Sequence, residues 1–261
     1  DEYVLLSGNE VGLLLLDMLA ERAAGSGEDL SHRVAVTTVV SAPMADDLAR
    51  AYGLELRRTL TGFKFVGEQI GLLESQGREA DFLFGFEESY GYLAGTHARD
   101  KDAVVSSVLV CELAAHWKAR GLDLYEAMQR LYAEHGFWAS ALLSKAYEGP
   151  EGAADMAAIM AGLRAKPPAE LAGVPVDQFI DYAVGAERPA VNPSDPKPQQ
   201  LPRADVLELL LAGGSRAIVR PSGTEPKVKA YVFATEATVE GADSLLASIS
   251  AEVESILGGT K

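Results

Sequence analysis

Arg220–Tyr231 reads RPSGTEPKVKAY, and the run before it, Arg216–Val219, reads RAIV. Apolar and β-branched residues on both sides of a Pro-Ser-Gly-Thr turn predict two strands joined by a short loop. Pro221 fixes its own φ and Gly223 accepts a positive one. Successive backbone N–H groups of the loop can therefore point into one concavity, the geometry that holds a doubly charged anion. Arg220 adds a planar fork of donors, and Ser222 and Thr224 add two hydroxyls. A hydrogen bond to a charged group contributes about 1.5–3 kcal/mol net, so four or five of them hold a phosphate firmly. A Pro-Gly hairpin turn with incidental polar residues has the same signature, and the loop by itself leaves both readings open.

Two further stretches carry chemistry, Thr59–Phe65 (TLTGFKF) and Gly85–Asp102 (GFEESYGYLAGTHARDKD). Glu87-Glu88-Ser89 follows the apolar run ADFLFGF, so these groups emerge at the C-terminal end of a strand, where ligands bind in α/β sheets. Strand alternation would place Glu87 and Ser89 on one side and Glu88 on the other. A carboxylate and a hydroxyl so placed suit two vicinal sugar hydroxyls better than they suit an acid–base pair. His97, Arg99 and Lys101 alternate with other residues, so an extended segment would turn all three toward an anion. An ordinary charged loop with internal ion pairs is the alternative. Asp102 is the expected N-cap of the helix that follows. In the first stretch Gly62 lets the backbone approach a ligand, and Lys64 adds charge.

In order and wording, TLTGFKF, GFEESYGYLAGTHARDKD and RPSGTEPKVKAY resemble the α-D-phosphohexomutase superfamily, the phosphoglucomutases and phosphomannomutases, over essentially the whole chain. The resemblance implies that Arg220, Ser222, Gly223, Thr224 and Lys229 bind phosphate. It implies that Glu87 and Ser89 contact sugar hydroxyls, that Thr61 and Gly62 help tell sugars apart, and that His97 stands second to Lys101 as a proton-transfer candidate, while Arg99 is placed toward the substrate by the alternation alone. Lys101 takes the place of the active-site lysine that assists proton transfer. The implied reaction interconverts hexose 1-phosphate and 6-phosphate through a phosphoserine, with magnesium at the transfer site and glucose 1,6-bisphosphate as intermediate and activator.

Family members carry a Thr-Ala-Ser-His-Asn-Pro-like phosphoserine loop and an Asp-x-Asp-x-Asp-Arg magnesium loop, and neither occurs in these 261 residues. The chain opens Asp1-Glu2-Tyr3 and runs at once into Ser7-Gly8-Asn9-Glu10, a stretch that in the family follows the metal loop. The expectation is a C-terminal half that binds without turning over. Its partners would be a hexose phosphate and the N-terminal domains of the same protein, and its own residues would hold no metal. A stand-alone phosphosugar-binding module is the alternative.

Composition sets outer bounds. The 48% hydrophobic content suits a globular chain with a sizeable core. A net charge of −15 argues against nucleic acid or an anionic membrane surface as partner. A phosphate site must then be local, which screening within about 8 Å at physiological salt allows. One cysteine, Cys111, excludes an internal disulfide and fits a reducing cytoplasm. Its apolar neighbours predict a buried thiol. The run Val11–Leu16 is too short to span a membrane, and no secretory signal precedes it.

Strand and helix signals alternate over residues 1–137, predicting a three-layer α/β domain for sugar binding. Ser7 and Glu10 have capping-box spacing ahead of one helix, and Asp123 and Glu126 ahead of another. The helix over Asp102–Ala119 is apolar nearly all round, which predicts burial against a sheet. Residues 138–261 predict a smaller α+β domain for phosphate binding, with about four strands in a mainly antiparallel sheet and two helices. Within it Pro189, Pro193, Pro196, Pro198 and Pro202 mark a loop.

Overall fold

The structure, a computed structural model, describes residues 3–147, 151–188, 199–223 and 225–258. The chain forms two compact units, one of Asp1–His135 with Glu187–Gln200, the other of Gly136–Ala186 with Leu201–Lys261.

In the first unit the elements are α1 (Gly8–Gly25), β1 (Val34–Thr38), α2 (Ala45–Tyr52), β2 (Glu55–Thr59), α3 (Phe63–Ser75), β3 (Phe82–Glu87), β4 (Gly91–Ala94), α4 (Ala103–Lys118) and α5 (Leu124–His135). The sheet order is β2-β1-β3-β4, with β1 parallel to β2 and β3, and β4 antiparallel to β3. The alternating pattern predicted this, because parallel neighbours need a helical crossover. Helix α3 packs Phe63, Val66, Ile70 and Leu73 against Val34, Val36, Phe82 and Leu93. Helix α1 lies against β3, where Gly12 sits on the Phe86 ring, so the sheet has helices on both faces. Both capping boxes form: Ser7 with Glu10, and Asp123 with Glu126.

The parallel strands end together at Thr38, Thr59 and Glu87, which puts the loops after them on one edge. Buried Arg58 fixes the first of those loops. Its guanidinium donates to the carbonyls of Thr38 (2.8 Å) and Ala42 (3.0 Å) and pairs with Asp46 (3.0 Å). A buried cation is tolerable only with its donors satisfied in this way.

Helix α4 departs from expectation. Only Leu113 and Trp117 are buried on it, while Val104 is 76% and Val108 54% exposed. Cys111 is exposed as well, and is not the buried thiol its neighbours suggest. An apolar sequence records that a helix favours burial, not that this chain supplies the cover.

The second unit comprises β5 (Phe137–Ala146), α6 (Gly152–Ala165), β6 (Glu170–Leu171), β7 (Val174–Asp181), β10 (Leu207–Leu211), β11 (Arg216–Pro221), β12 (Lys227–Glu236) and α7 (Val239–Gly258), while β8 (Ala186–Arg188) and β9 (Gln199–Leu201) pair only with each other and fall mostly within the Glu187–Gln200 stretch of the first. Its main sheet runs β5-β12-β11-β10-β7-β6, antiparallel at every pairing, so it has six strands where the sequence predicts about four. Helices α6 and α7 cover one face, burying Met160, Leu163, Ile249, Val253 and Leu257 against Leu207, Leu209, Ala217, Val219, Val228, Ala230 and Val232. Alternation then assigns Arg220 of β11 and Lys229 of β12 to the opposite face. Pro189, Pro193, Pro196 and Pro198 lie outside the described residues. Among the described residues no helix is long and apolar enough to cross a membrane.

Candidate functional site

The first unit gathers part of the expected sugar site around one glycine. Strand β3 ends at Glu87, which pairs in register with Gly91 across the turn Glu88-Ser89-Tyr90. Strand alternation therefore does not reach Ser89, and a three-residue turn sets its direction instead. Tyr90 takes φ 62, the left-handed residue with which such hairpin loops close. Glu87 is 7% exposed and its Oε1 accepts the Gly62 N–H at 2.7 Å, so the loop after β2 and the end of β3 are tied together. Gly62 holds φ 117, a conformation open to glycine, directly ahead of α3. Thr61 beside it is half-buried.

A Cβ at Gly91 would stand 3.4 Å from Glu87 Oε2, 3.4 Å from Lys101 Cδ and 3.2 Å from Phe63 Cδ2. The carboxylate, the lysine stem and the ring thus surround one small residue. Lys101 Nζ lies 5.9 Å from the Phe63 ring centre and 3.2 Å from Asp100 Oδ1. The Asp100 carboxyl is held below the usual aspartate range, first by the Lys101 backbone N–H and then by its side chain.

Residues 95–102 form a series of bends, not an extended segment, and their basic side chains take separate partners. His97 Nε2 lies 2.8 Å from Asp102 Oδ2. Arg99 donates to Glu74 of α3 (2.9 Å) and to the Thr96 carbonyl. Asp102 caps α4 as expected, its Oδ1 accepting the Val104 and Val105 N–H groups. The reading of three side chains turned one way is therefore replaced by separately paired side chains in a folded loop. Lys101 joins Glu87, while Arg99 fastens the loop to α3, where a Cβ at Gly67 would meet its carbonyl oxygen at 2.4 Å.

In the second unit, Arg220 stands opposite Lys229 across the β11–β12 ladder, and Lys229 stands opposite Ser144 of β5. Two cations and a hydroxyl make one row over three strands. Like charges directly opposite each other weaken a sheet unless an anion joins them. Arg220 is half-buried, and its side chain has no hydrogen bond or ion pair to the described residues. Beyond it the Ser222 N–H donates to the Lys227 carbonyl at 2.7 Å, which closes the turn, and Gly223 is exposed at its tip. Thr224 lies outside the described residues. Lys227 pairs with Glu225 at 2.9 Å. The Glu225 carboxyl is held low by that hydrogen bond first, then by the charges of Lys227 and Lys229. Ser144 is a member of this row that sequence reasoning did not single out, because only the strand register identifies it. A cavity of about 840 Å³ opens elsewhere in this unit, between α6 and the end of α7, and includes none of these residues.

Among the described residues no group of three or more His, Cys, Asp or Glu is placed to hold a metal.

A three-layer α/β unit followed by an antiparallel sheet with two helices is the architecture of the third and fourth domains of a phosphohexomutase. Comparison with known proteins agrees. The family model described as phosphoglucomutase/phosphomannomutase, alpha/beta/alpha domain III, matches residues 7–135, and the one described as the C-terminal domain of the same family matches residues 151–249. The chain belongs to the phosphoglucomutase/phosphomannomutase family. It is 35% identical to a Staphylococcus aureus phosphoglucomutase over 226 residues, covering 87% of this chain and 39% of the relative. A Staphylococcus epidermidis phosphoglucomutase is 34% identical over 226 residues, with 87% and 40% covered. The chain thus spans about two fifths of the length of the curated relatives it matches. Among solved structures, the open form of Paramecium parafusin, a phosphoglucomutase, is similar at TM-score 0.64 and 19% identity, over 97% of this chain and 41% of that one. A phosphoglucomutase/phosphomannomutase family protein from Burkholderia thailandensis is similar at TM-score 0.54 and 14% identity, over 94% and 40%. At these identities the likeness is one of fold.

Proposed function

We propose that this chain supplies the sugar-holding and phosphate-holding domains of a phosphohexomutase. In the whole protein the activity would be interconversion of hexose 1-phosphate and 6-phosphate, with glucose 1,6-bisphosphate as intermediate and activator, in the cytoplasm. The phosphoserine and the magnesium would belong to other domains of that protein. Residues 1–137 would act on the sugar: Glu87 and Ser89 take hydroxyls, Thr61 and Gly62 shape the wall beside them, and His97 and Arg99 shape the loop that carries Lys101. Lys101, next to Glu87 around Gly91, is the group placed to move a proton at the reacting hydroxyl. Residues 138–261 would grip whichever phosphate is not reacting, through Arg220, Lys229, Ser222 and the backbone at Gly223 and Thr224.

One observation carries this reading: Arg220 and Lys229 directly oppose each other beside a Ser-Gly turn, with no acid among the described residues bonded to Arg220. A dianion between them turns a repulsion into two charge-assisted contacts, each worth about 1.5–3 kcal/mol.

Titration of the chain with inorganic phosphate and glucose 1-phosphate, followed by calorimetry, tests it. Arg220→Ala and Lys229→Ala should each weaken both ligands by about tenfold or more, and mutase turnover by this chain should be absent. Unchanged affinity in both variants would remove the phosphate site. Turnover by the chain alone would show that it is more than a holding half.

A further inference from the structure

The turn that presents Glu87 and Ser89 is fastened to the start of α1 by contacts that neither the resemblance nor the comparisons assign a role. Gly8, the first residue of α1, has a negative φ, so it is not there to relieve the backbone. Glycine is a poor helix former, and alanine would serve the helix better. Its value lies in closeness. A Cβ at Gly8 would stand 2.1 Å from the Glu88 carbonyl oxygen and 2.8 Å from the Tyr90 nitrogen.

Both tyrosines that flank Gly91 reach the same place. The Tyr90 hydroxyl donates to the Leu6 carbonyl at 3.2 Å, and the Tyr92 hydroxyl donates to the Gly8 carbonyl at 2.9 Å. Tyr92 is buried, and burial raises its phenol above the ordinary range, which favours the protonated, donating form. Tyr90 is 55% exposed and holds φ 62, a conformation costly for any residue with a Cβ. An exposed tyrosine at positive φ persists where its surroundings over-determine it, and here the hydroxyl anchor and the Gly8 contact do so. The capping box of Ser7 and Glu10 in turn fixes the backbone to which the phenols are tied.

We propose that Gly8 and Tyr90, with Tyr92 behind them, form a clamp by which the start of α1 sets the position of the Glu87–Ser89 turn. They are positioning residues for recognition of a sugar's hydroxyls. The inference rests on the reading of that turn as the sugar contact, and it adds where the turn's specificity is set: in a segment some 80 residues upstream, by contact distance and not by charge.

The test is the ratio of affinities for glucose 1-phosphate and inorganic phosphate, measured on the full chain together with the thermal midpoint. Gly8→Ala forces the Glu88 carbonyl to move and should lower glucose 1-phosphate affinity about tenfold, the loss of one hydrogen bond to a charged group. Inorganic phosphate affinity should stay within about twofold, as it depends on the other unit's cations. Where Gly8→Ala does not fold, Tyr90→Phe removes only the anchoring hydroxyl and should lower the same ratio. Tyr90→Gly separates positioning from stability. It accepts the positive φ freely, so its midpoint should match or exceed wild type while the ratio falls. Wild-type ratios in Gly8→Ala, Tyr90→Phe and Tyr90→Gly, with a lowered ratio in Glu87→Gln, would overturn the clamp and leave the turn's role standing. A wild-type ratio in Glu87→Gln as well would overturn the reading of the turn, and the clamp with it.

Discussion

The β3–β4 turn and the β11–β12 turn both carry charged groups at the end of a strand, yet they are held in opposite ways. At the first, the acid is already spent on the fold: Glu87 is buried and accepts the Gly62 N–H, and His97, Arg99 and Lys101 each lie against a neighbouring acid. At the second, Arg220 faces Lys229 across the ladder with no acid bonded to the arginine among the described residues. One region is organised before any ligand arrives. The other stores a repulsion that a ligand would relieve. A sugar, neutral and rich in hydroxyls, needs fixed geometry more than charge, whereas a phosphate needs charge more than a unique geometry.

The largest expected effect separates the two by stability alone. Glu87→Ala strips the part-buried Gly62 N–H of its acceptor and should cost about 1–3 kcal/mol in urea denaturation of the chain. Arg220→Ala removes one of two opposed cations and should leave stability unchanged or raise it by up to about 1 kcal/mol. Equal losses in the two variants would break the comparison, since Arg220 would then be serving the fold.

The same two regions show how far the sequence could be read. The alternation of strands and helices, both capping boxes, the Asp102 cap and the end of the buried strand β3 near Glu87 followed from local pattern. Strand β4 did not, because Gly91–Ala94 is four residues long and follows a turn closed by a tyrosine at positive φ, where glycine or asparagine is the usual signal. For the same reason alternation failed at Ser89. Residue types at the β11–β12 turn were legible, but the row Arg220–Lys229–Ser144 was not, since register is a property of paired strands and not of either one. Helix α4 misled most. Its composition matches that of buried α1, yet Val104, Val108 and Cys111 face outward.

A second, smaller effect sharpens the comparison through ligand and salt. At about ten times its Kd, inorganic phosphate should stabilise the wild-type chain by about 1.4 kcal/mol. Lys229→Ala at the same phosphate concentration should gain much less, while Ser89→Ala should gain as much as wild type. Sodium chloride at about 1 M shortens the screening length to about 3 Å, so it should narrow any stability difference between wild type and Arg220→Ala. Thermal unfolding at matched ionic strength reads both. A phosphate increment that Lys229→Ala retains in full would place the anion elsewhere.

The smallest effect is one of pH, and it touches both turns. The Asp102 carboxyl is held below the ordinary aspartate value of 3.8, first by its contact with His97 and then by the Val105 and Val104 N–H groups. A lowered folded-state pKa means the stabilisation is complete above the ordinary value and is lost as pH falls through the lower one. Glu225 follows the same sign from its ordinary value of 4.5, with Lys227 as the main cause. Acidification below about pH 5 should therefore fray the first turn of α4 and loosen the β11–β12 turn over overlapping ranges. The consequences differ. At α4 the Val104 and Val105 amides lose their acceptor, so their hydrogen exchange should accelerate ahead of the helix interior. At the β11–β12 turn, protonating Glu225 removes a negative charge that acts on Lys227 and Lys229, so the cations there should attract an anion more strongly, with sulfate as the probe because it keeps its charge. Amide exchange and sulfate titration across pH 3–6, run with Asp102→Asn and Glu225→Gln, would assign each effect to its group. Sulfate affinity that does not rise on acidification in wild type, or that rises equally in Glu225→Gln, would show that Glu225 does not temper the charge at this turn.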